Sequence, residues 1–371
     1  MQIAKNENWL NILCSTQIRN TALSTRGTER RSTVNSTRER AIGALEGLAL
    51  GDALGMPTQS MSAQWIYAEY GKITGLNDAI AQQPIAPNMP AGSVTDDTEQ
   101  AMLVARLIVE NSGHVDPMQL AHELLDWEDD MRRRGSLDLL GPSTKLALEQ
   151  VRSGADVKST GRTGTTNGAA MRVTPVGIAN SAAADPDRFA ERVHESCRVT
   201  HNTVHGFKSA ALVAAAVSYG IDGFSIRESL QKALALIETL DSKIADFDCA
   251  WSPKADVATR AYAAIEIAKK DFDSEDDFLE SLRRNCGTSV ESNESIPAAC
   301  ALAWRYHEKP FEALCCAASI GGDTDTIAAI CGAMLGAAGA EFPQDVIEKV
   351  QKVSHLDCQV MADALLAERG R

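Results

Sequence analysis

A ridge of glycines near the start of the chain constrains its fold more than any other feature. Four glycines recur at every fourth residue, namely Gly43, Gly47, Gly51 and Gly55. Residues four apart lie on one side of an α-helix, and a glycine there costs about 1 kcal/mol relative to alanine. The close approach of a second helix backbone would compensate that cost. A membrane-type glycine motif is excluded, because Glu46 and Asp52 interrupt the segment.

A second face of small residues lies near the C-terminus. It is formed by Gly332, Gly336 and Gly339 together with Ala333, Ala337 and Ala340. We expect the two faces to belong to two central helices of a tight bundle.

Helical periodicity dominates the chain from Arg40 onward. Apolar runs at helical spacing cover Ala41–Ala53, Glu99–Glu110, Pro117–Trp127, Ser143–Val151, Asp187–Cys197, Val204–Tyr219, Ile226–Leu240, Ala255–Lys269, Ile296–Arg305, Phe311–Ile320, Thr324–Ala340 and Gln344–Val353. Strand patterns are scarce, and only Lys72–Thr74 and Met171–Pro175 are candidates for short extended pieces. The predicted fold class is all-α: a single large orthogonal helical domain of about a dozen helices.

Composition and charge exclude several classes of partner. The formal net charge of −14 argues against nucleic acid, whose binding requires a basic surface. No apolar run is expected to reach the roughly 18 residues that span a bilayer. The nine cysteines form no CxxC pair and no zinc-type spacing. We therefore expect a reducing, cytoplasmic environment, no nucleic-acid or membrane partner, and a monomer, although the sequence leaves the oligomeric state open.

The N-terminal segment differs from the rest of the chain. Its first 40 residues carry seven Lys or Arg against three Asp or Glu and are rich in Ser, Thr and Asn. An organellar transit peptide has this composition, and so does a disordered tail. We predict a basic Ser/Thr/Arg-rich tail over residues 1–39, disordered or targeting, and one catalytic domain over residues 40–371.

Two acidic clusters each precede an apolar helix. The first contains Thr95, Asp96 and Asp97, and the second contains Asp323, Asp325 and Thr326. Helix capping would explain one Asp or Thr in each cluster, but each has two carboxylates and hydroxyls. Oxygen-only ligand sets suit Mg²⁺, and one or two such ions would offset the repulsion among four carboxylates.

Five segments in order resemble the signature of the ADP-ribosylglycohydrolases, a family that includes dinitrogenase reductase-activating glycohydrolases and is related to crystallin J1. They are Gly51–Pro57, Thr95–Thr98, Asn167–Arg172, Thr200–His201 and Gly321–Thr326, and the match spans about residues 41–340. The resemblance implies an all-α ADP-ribosylglycohydrolase-like fold with a binuclear Mg²⁺ centre, in which Mn²⁺ could replace Mg²⁺. It implies that Thr95, Asp96, Asp97, Asp323, Asp325 and Thr326 are the metal ligands.

The resemblance further implies a glycosidase that cleaves the N-glycosidic, or O-glycosidic, bond of an ADP-ribosylated protein or small molecule. A carboxylate near the sugar carbon stabilises the oxocarbenium-like transition state and activates water. We assign this catalytic role to Asp97 or Asp96. Two metal ions a few ångströms apart would lower the pKa of a bound water.

Substrate contacts are expected at Gln59, Ser143, Asn167, Gly168 and His201. By resemblance His201 contacts substrate, and Asn167 and Gly168 follow a glycine-rich loop, 161–168, whose N–H groups can reach a pyrophosphate. A plain connection is the alternative for that loop. Ser143 is a helix cap or a phosphate contact. The three arginines 132–134 form a solvated face or attract an anionic substrate, and Cys286–Pro297 is by resemblance a loop over the site.

One departure from the family pattern concerns the substrate. The family commonly has a Glu after the Gly51–Pro57 segment, whereas this chain has Thr58 and Gln59. A glutamine can donate a hydrogen bond or coordinate through its carbonyl, but it cannot act as a base. An N-riboside hydrolase acting on a nucleoside or nucleotide is therefore the first alternative function. A non-catalytic, crystallin-like binder is the second.

Overall fold

A computed structural model of the protein describes the backbone of residues 28–137 and 140–369, and the side chains from residue 37 onward. Contacts divide the chain into two units, residues 1–35 and 36–371, and the second unit contains the whole predicted catalytic domain. The described residues form helices joined by loops, with only three isolated β-bridges and no strand. The all-α prediction is confirmed.

The described residues contain eighteen α-helices. The first nine are α1 (Thr28–Gly55), α2 (Ala63–Tyr70), α3 (Asp96–Glu110), α4 (Pro117–Arg133), α5 (Pro142–Arg152), α6 (Gly168–Met171), α7 (Thr174–Ala179), α8 (Pro186–His201) and α9 (Val204–Ile221). The others are α10 (Ile226–Glu238), α11 (Asp241–Asp246), α12 (Val257–Ala268), α13 (Glu275–Cys286), α14 (Ser292–Arg305), α15 (Pro310–Ser319), α16 (Thr324–Ala337), α17 (Gln344–Val353) and α18 (Cys358–Arg369). A 3-10 turn, Met56–Thr58, follows α1.

The core is built around α9, which is buried on almost every side and packs against α7, α8, α10, α14 and α16. Its 18 residues are long and apolar enough to cross a membrane by length and composition, so the expectation that no apolar run reaches that length is wrong. In this fold 83% of the helix is buried inside the protein. A core helix satisfies the same length criterion as a membrane span because both are apolar on every face.

The two small-residue faces meet as predicted, since α1 crosses α16 with backbone against backbone. A Cβ atom added to Gly43 would lie 2.9 Å from the carbonyl oxygen of Gly336. One added to Gly47 would overlap the carbonyl of Gly332, and one added to Gly51 that of Ala328. Only glycine allows this separation, which is the gain that compensates its low helix propensity.

Several local predictions need correction. Helix α1 begins at Thr28, whereas the apolar run that predicts it begins only at Ala41. The prediction of a short extended piece at Met171–Pro175 is wrong, because its residues belong to α6, α7 and the turn between them. The count of about a dozen helices omitted short or polar ones, including α2, α11, α13 and α18. The N-terminal part of the predicted tail, residues 1–27, lies outside the described residues.

The error at Met171–Pro175 has a physical cause. Val173 and Thr174 are β-branched, which suggests a strand from propensity alone. Pro175, however, lies in the first turn of α7, where proline is favoured because its missing N–H has no helical partner. All six residues of α7 are buried, so tertiary packing overrides local preference.

Candidate active site

The first acidic cluster begins α3, but it does not cap that helix with its own side chains. Thr95 is the N-cap residue and its side chain makes no capping hydrogen bond. The cap comes instead from Asp52 on α1, which accepts the N–H of Thr95 at 3.0 Å and the N–H of Thr98 at 3.1 Å. The hydroxyls of Thr95 and Thr98 also donate to Asp52, at 2.8 and 2.5 Å. Asp96 and Asp97 are therefore not needed as caps.

Asp52 lies at the site as a structural residue, a role that the sequence alone does not predict. It is fully buried, and burial raises the pKa of its carboxyl to about 6 although the four hydrogen bonds act in the opposite direction. The signal was present in the sequence, because Asp52 interrupts the apolar glycine ridge. Its partner on α3 could not be inferred from spacing.

The second acidic cluster begins α16 after two glycines in the left-handed region. Gly321 and Gly322 have φ values of 82° and 89°. The N–H of Gly322 donates to the carbonyl of Met61 at 2.9 Å, and the N–H of Asp323 donates to that of Thr288 at 2.8 Å. These bonds fix the turn against the segments that contain Met61 and Thr288. They thereby set the position of Asp323 and the start of α16.

The two clusters meet at Asp97. The hydroxyl of Thr326 donates to Oδ2 of Asp97 at 3.2 Å, across 229 residues of sequence. Thr95 donates to the same oxygen at 3.4 Å. Oδ1 of Asp97 is buried and makes no hydrogen bond with any described residue.

The electrostatics of Asp97 reflect this convergence. Burial first, then the charges of Asp325, Asp96, Asp52 and Asp323, raise the pKa of Asp97 well above its usual range. Burial also raises the pKa of Asp323, against the hydrogen bonds from Asn167 and Thr326. Five carboxyl groups from three helices thus share one region. Such a cluster stabilises either a proton or a cation.

As the side chains stand, no group of three Asp, Glu, His or Cys residues within the described ranges is arranged to hold a metal ion. The donor chemistry nonetheless fits a hard cation. It consists of carboxylates and threonine hydroxyls, and it includes a buried carboxylate oxygen of Asp97 that lacks a donor. Asp96 and Asp323 are partly exposed, whereas Asp97 and Asp325 are buried.

The predicted substrate residue Asn167 lies against the second cluster. Its side-chain amide donates to Asp323 at 2.6 Å and to Ser295 at 2.9 Å. Its backbone N–H donates to the carbonyl of Val290 at 2.9 Å. The segment predicted to cover the site, Cys286–Pro297, therefore contacts Asn167 through Val290 and Ser295. Outside residues 287–291, the segment belongs to α13 or α14.

His201 lies beneath the loop 161–167 and has no exposed surface. Its two ring nitrogens are hydrogen-bonded to the hydroxyls of Thr166 at 3.1 Å and Thr200 at 2.8 Å. Burial, together with Arg172 and His205, lowers its pKa well below the usual value, so the ring is neutral. Contact of His201 with substrate stays a prediction.

The glycines of the loop 161–168 serve packing. A Cβ on Gly161 or Gly164 would overlap the backbone at the end of α8, and one on Gly168 would lie 3.2 Å from the ring of His201. The loop is thus held closely against α8 and is not a plain flexible connection. Its approach to a pyrophosphate is untested.

Three further predicted contacts involve Ser143, Gln59 and the arginines 132–134. Ser143 is not a cap, because Gly141 occupies the N-cap position of α5. The hydroxyl of Ser143 accepts the N–H of Thr166 at 3.4 Å, beside Asn167. Gln59 is buried and its side-chain nitrogen has no partner among the described residues. The three arginines are exposed and paired with nearby carboxylates, as a solvated face requires.

A buried arginine links the acidic cluster to the histidine. Arg172 has no exposed surface, and it donates to Gln100 at 3.3 Å and to Thr200 at 2.7 Å. Gln100 in turn donates to Asp96 at 3.2 Å. Burial lowers the pKa of Arg172 to about 10. Arg172 and Gln100 were not assigned a role from the sequence, because a buried arginine is visible only in the fold.

Comparison with known proteins agrees with this architecture. Residues 33–371 match the model of the family described as ADP-ribosylglycohydrolase. The chain is 32% identical to the uncharacterized protein YegU of Escherichia coli K12, over 89% of this chain and 97% of that one. It is 25% identical to ADP-ribosylhydrolase ARH3 of Bos taurus, over 80% and 84% of the two chains.

A solved structure, an ADP-ribosylglycohydrolase-related protein complex, shares the fold with a TM-score of 0.63 at 21% identity. The match covers 90% of this chain and 99% of that one. The family model spans nearly all of the described residues, including both acidic clusters and the Asn167 segment. The chain therefore belongs to the ADP-ribosylglycohydrolase family.

Proposed function

We propose that this protein is a Mg²⁺-dependent glycosidase that hydrolyses the glycosidic linkage of an ADP-ribosylated protein or small molecule. The observation that carries the proposal is the convergence of two distant acidic segments on Asp97, whose buried Oδ1 has no hydrogen-bond donor among the described residues. Family membership supports a glycohydrolase acting on ADP-ribosylated substrates. One relative is itself named an ADP-ribosylhydrolase.

The cation would be held by oxygen ligands from both clusters. We assign this role to Thr95, Asp96, Asp97, Asp323, Asp325 and Thr326. Two Mg²⁺ ions, or Mn²⁺, would supply Lewis acidity and charge neutralisation. Ligation requires side-chain rotation at the cluster, which Asp96 and Asp323 allow because both are partly exposed.

Asp96 is the better candidate for the carboxylate that activates water. It is partly exposed, whereas Asp97 is fully buried and faces neighbouring carboxylates. Gln100 orients Asp96 through a 3.2 Å hydrogen bond. A general base must reach a solvent-accessible water. Asp97 is therefore assigned to holding the cation alone, and Asp96 to proton transfer as well as to cation binding.

Asn167 would position the sugar side of the site. Its amide donates to Oδ2 of Asp323 and so fixes the orientation of that carboxylate. Its backbone is held by the 287–291 segment. The next residue is Gly168, and a side chain at that position would contact the ring of His201. Substrate orientation contributes to rate because the reacting atoms must already lie in attack geometry.

The decisive experiment measures turnover and thermal stability with Mg²⁺, Mn²⁺ or EDTA. The substrates are ADP-ribosyl-arginine, ADP-ribosyl-serine and ADP-ribosyl-protein. We expect metal-dependent release of ADP-ribose and a metal-dependent rise in Tm. Asp323→Ala and Asp325→Ala should abolish both, whereas Asp276→Ala, on the exposed first turn of α13, should retain both.

Equal thermal stability with metal and with EDTA would contradict the cation site. Release of ADP-ribose that is unaffected by EDTA would contradict metal dependence while keeping the hydrolase.

A second candidate function rests on Gln59. Its buried side-chain nitrogen has no partner among the described residues, and Ser60, the next residue, donates its N–H to Gly322 beside Asp323 at 2.7 Å. An unsatisfied donor close to the cluster can recognise a substrate acceptor. A nucleoside or nucleotide N-riboside would provide one. Release of a free base from a nucleoside panel, with no turnover of ADP-ribosylated substrates, would favour this alternative.

A further inference from the structure

A basic cavity lies away from the carboxylate cluster. It has a volume of about 550 Å³ and is located where α14 ends. Five basic side chains line it, Arg227, Lys269, Lys270, Arg305 and Lys309, against two acidic ones, Asp271 and Glu308. The whole chain carries a net charge of −14. The excess of positive side chains around the cavity is therefore opposite in sign to the net charge of the protein.

The cavity is spatially separate from the proposed active site. Ser295, in the first turn of α14, bonds to Asn167, whereas Arg305 is the last residue of that helix. Ten residues of helix correspond to about 15 Å. One rigid helix therefore connects the two regions.

Part of the positive charge is uncompensated. Lys269 pairs with Glu266 and Lys309 with Glu312, both through partly or fully exposed groups. Exposed pairs of this kind contribute little and are readily displaced. Arg227, Lys270 and Arg305 form no ion pair with a described carboxylate. Lys270 and the two Nη groups of Arg227 are thus available to an anion, whereas Arg305 is held by backbone carbonyls.

Helix ends account for two of these cations. Arg227 donates its Nε–H to the carbonyl of Trp304 at 3.3 Å, in the last turn of α14. Arg305 donates to the carbonyls of Ala268 at 3.0 Å and Lys270 at 2.9 Å, where α12 ends. Lys309, by contrast, is the N-cap residue of α15. Cations are unfavourable at helix N-termini, where anions are stabilised. An anion in the cavity would offset the cost at Lys309.

We propose that this cavity binds a phosphate-bearing small anion, of the pyrophosphate or phosphate-monoester class. Phosphate groups match the fork of Arg227 and the ammonium group of Lys270. A nucleobase would need an open aromatic face. Trp304 is only 7% exposed, and Arg227 and Lys269 lie 5.3 and 5.1 Å from its ring centre. We therefore expect the cavity to recognise the phosphate groups of the ligand and not a nucleobase.

Calorimetric titration with pyrophosphate in EDTA at low ionic strength tests the proposal. Without metal, the acidic cluster repels anions, so the signal reports the basic cavity. We expect saturable one-site binding that weakens with added salt. Arg227→Gln combined with Lys270→Gln should weaken it at least roughly tenfold, the effect of about 1.4 kcal/mol.

The matched control replaces two exposed lysines of α17, Lys349→Gln and Lys352→Gln, and should bind as the wild type does. Lys270→Glu is a second variant, chosen because Lys270 forms no described ion pair and its loss should not disturb folding. Asp323→Ala should retain binding, which separates this site from the proposed active site. Absence of saturable binding, or equal binding by the wild type and both cavity variants, would overturn the proposal.

Discussion

Helices α1 and α16 meet in two regions that are held together in different ways. Along Gly43–Gly51 the two backbones are in direct contact, with no side chain between them. At the end of the same two helices, α1 contributes Asp52 and α16 contributes Asp325, and both act on the buried Asp97 of α3. The first region is apolar and closely packed, whereas the second concentrates like charges.

The difference shows how the fold tolerates its acidic end. Burying several carboxylates costs free energy unless each is bonded or neutralised. A rigid glycine-lined crossing supplies packing that does not depend on those carboxylates. The carboxylates can then be placed for a ligand instead of for stability. The comparison predicts large stability effects along the ridge and small ones at Asp97.

The largest effect is expected at the ridge. Gly332→Ala would place a methyl group on the backbone of Gly47, which no side-chain rotation can relieve. We expect the free energy of unfolding to fall by about 3 kcal/mol or more, as for other overpacked cores. Gly75→Ala is the control, because nothing lies within 4 Å of its added Cβ. Urea denaturation measures both, and equal stability of the two variants would show that the crossing can separate at little cost.

The next effect concerns Asp52, which belongs to the acidic end but serves the fold. Asp52→Ala removes four hydrogen bonds from the start of α3 and leaves buried donors unpaired. We expect a loss of about 2–3 kcal/mol. Asp116→Ala, at the exposed N-cap of α4, should cost about 1 kcal/mol. Similar losses in chemical denaturation would mean that burial of Asp52 adds nothing to its capping role.

The roles of these two aspartates also mark what sequence can predict. Periodicity and the glycine spacing predict an all-α bundle and the crossing of α1 with α16, because both patterns are local. The motif resemblance predicts that Asp97 and Asp323 are site residues, and their roles stay a prediction. The contact of Asp52 with Thr95 and Thr98, and the buried link from Asp96 through Gln100 to Arg172, join distant segments. No spacing rule relates such residues, so only the fold reveals them.

The pH dependence of stability tests a buried titratable group that lies outside the acidic end. His194 on α8 stacks on Phe247 with ring centres 4.2 Å apart. Burial lowers the pKa of His194 from 6.5 to about 4. Between these values the unfolded chain binds a proton that the folded chain does not, so stability falls as pH decreases from 6.5 to 4. The loss attributable to His194 should be on the order of 3 kcal/mol at pH 4.

His194→Phe keeps a stacked ring and removes this titration. Subtracting its unfolding free energy from that of the wild type at each pH isolates the histidine. This matters because Asp52, with its pKa raised to about 6, favours the folded state on protonation and acts in the opposite sense. A difference that does not change between pH 7 and pH 4 would show that His194 becomes protonated in the folded protein.

The smallest stability effect is expected at Asp97 itself. In EDTA, Asp97→Asn replaces a buried carboxyl group, surrounded by like charges, with a neutral amide of the same shape. We expect the free energy of unfolding to stay within about 1 kcal/mol of the wild type or to rise, because relief of repulsion offsets any lost hydrogen bond. Thermal and urea unfolding in EDTA measure it beside Asp52→Ala. If Asp97→Asn were destabilised as strongly as Asp52→Ala, both carboxylates would be structural, and the two ends of the α1–α16 contact would differ only in composition. If Asp97→Asn is as stable as the wild type, the position of Asp97 is set by the surrounding helices and its carboxylate is retained for a ligand.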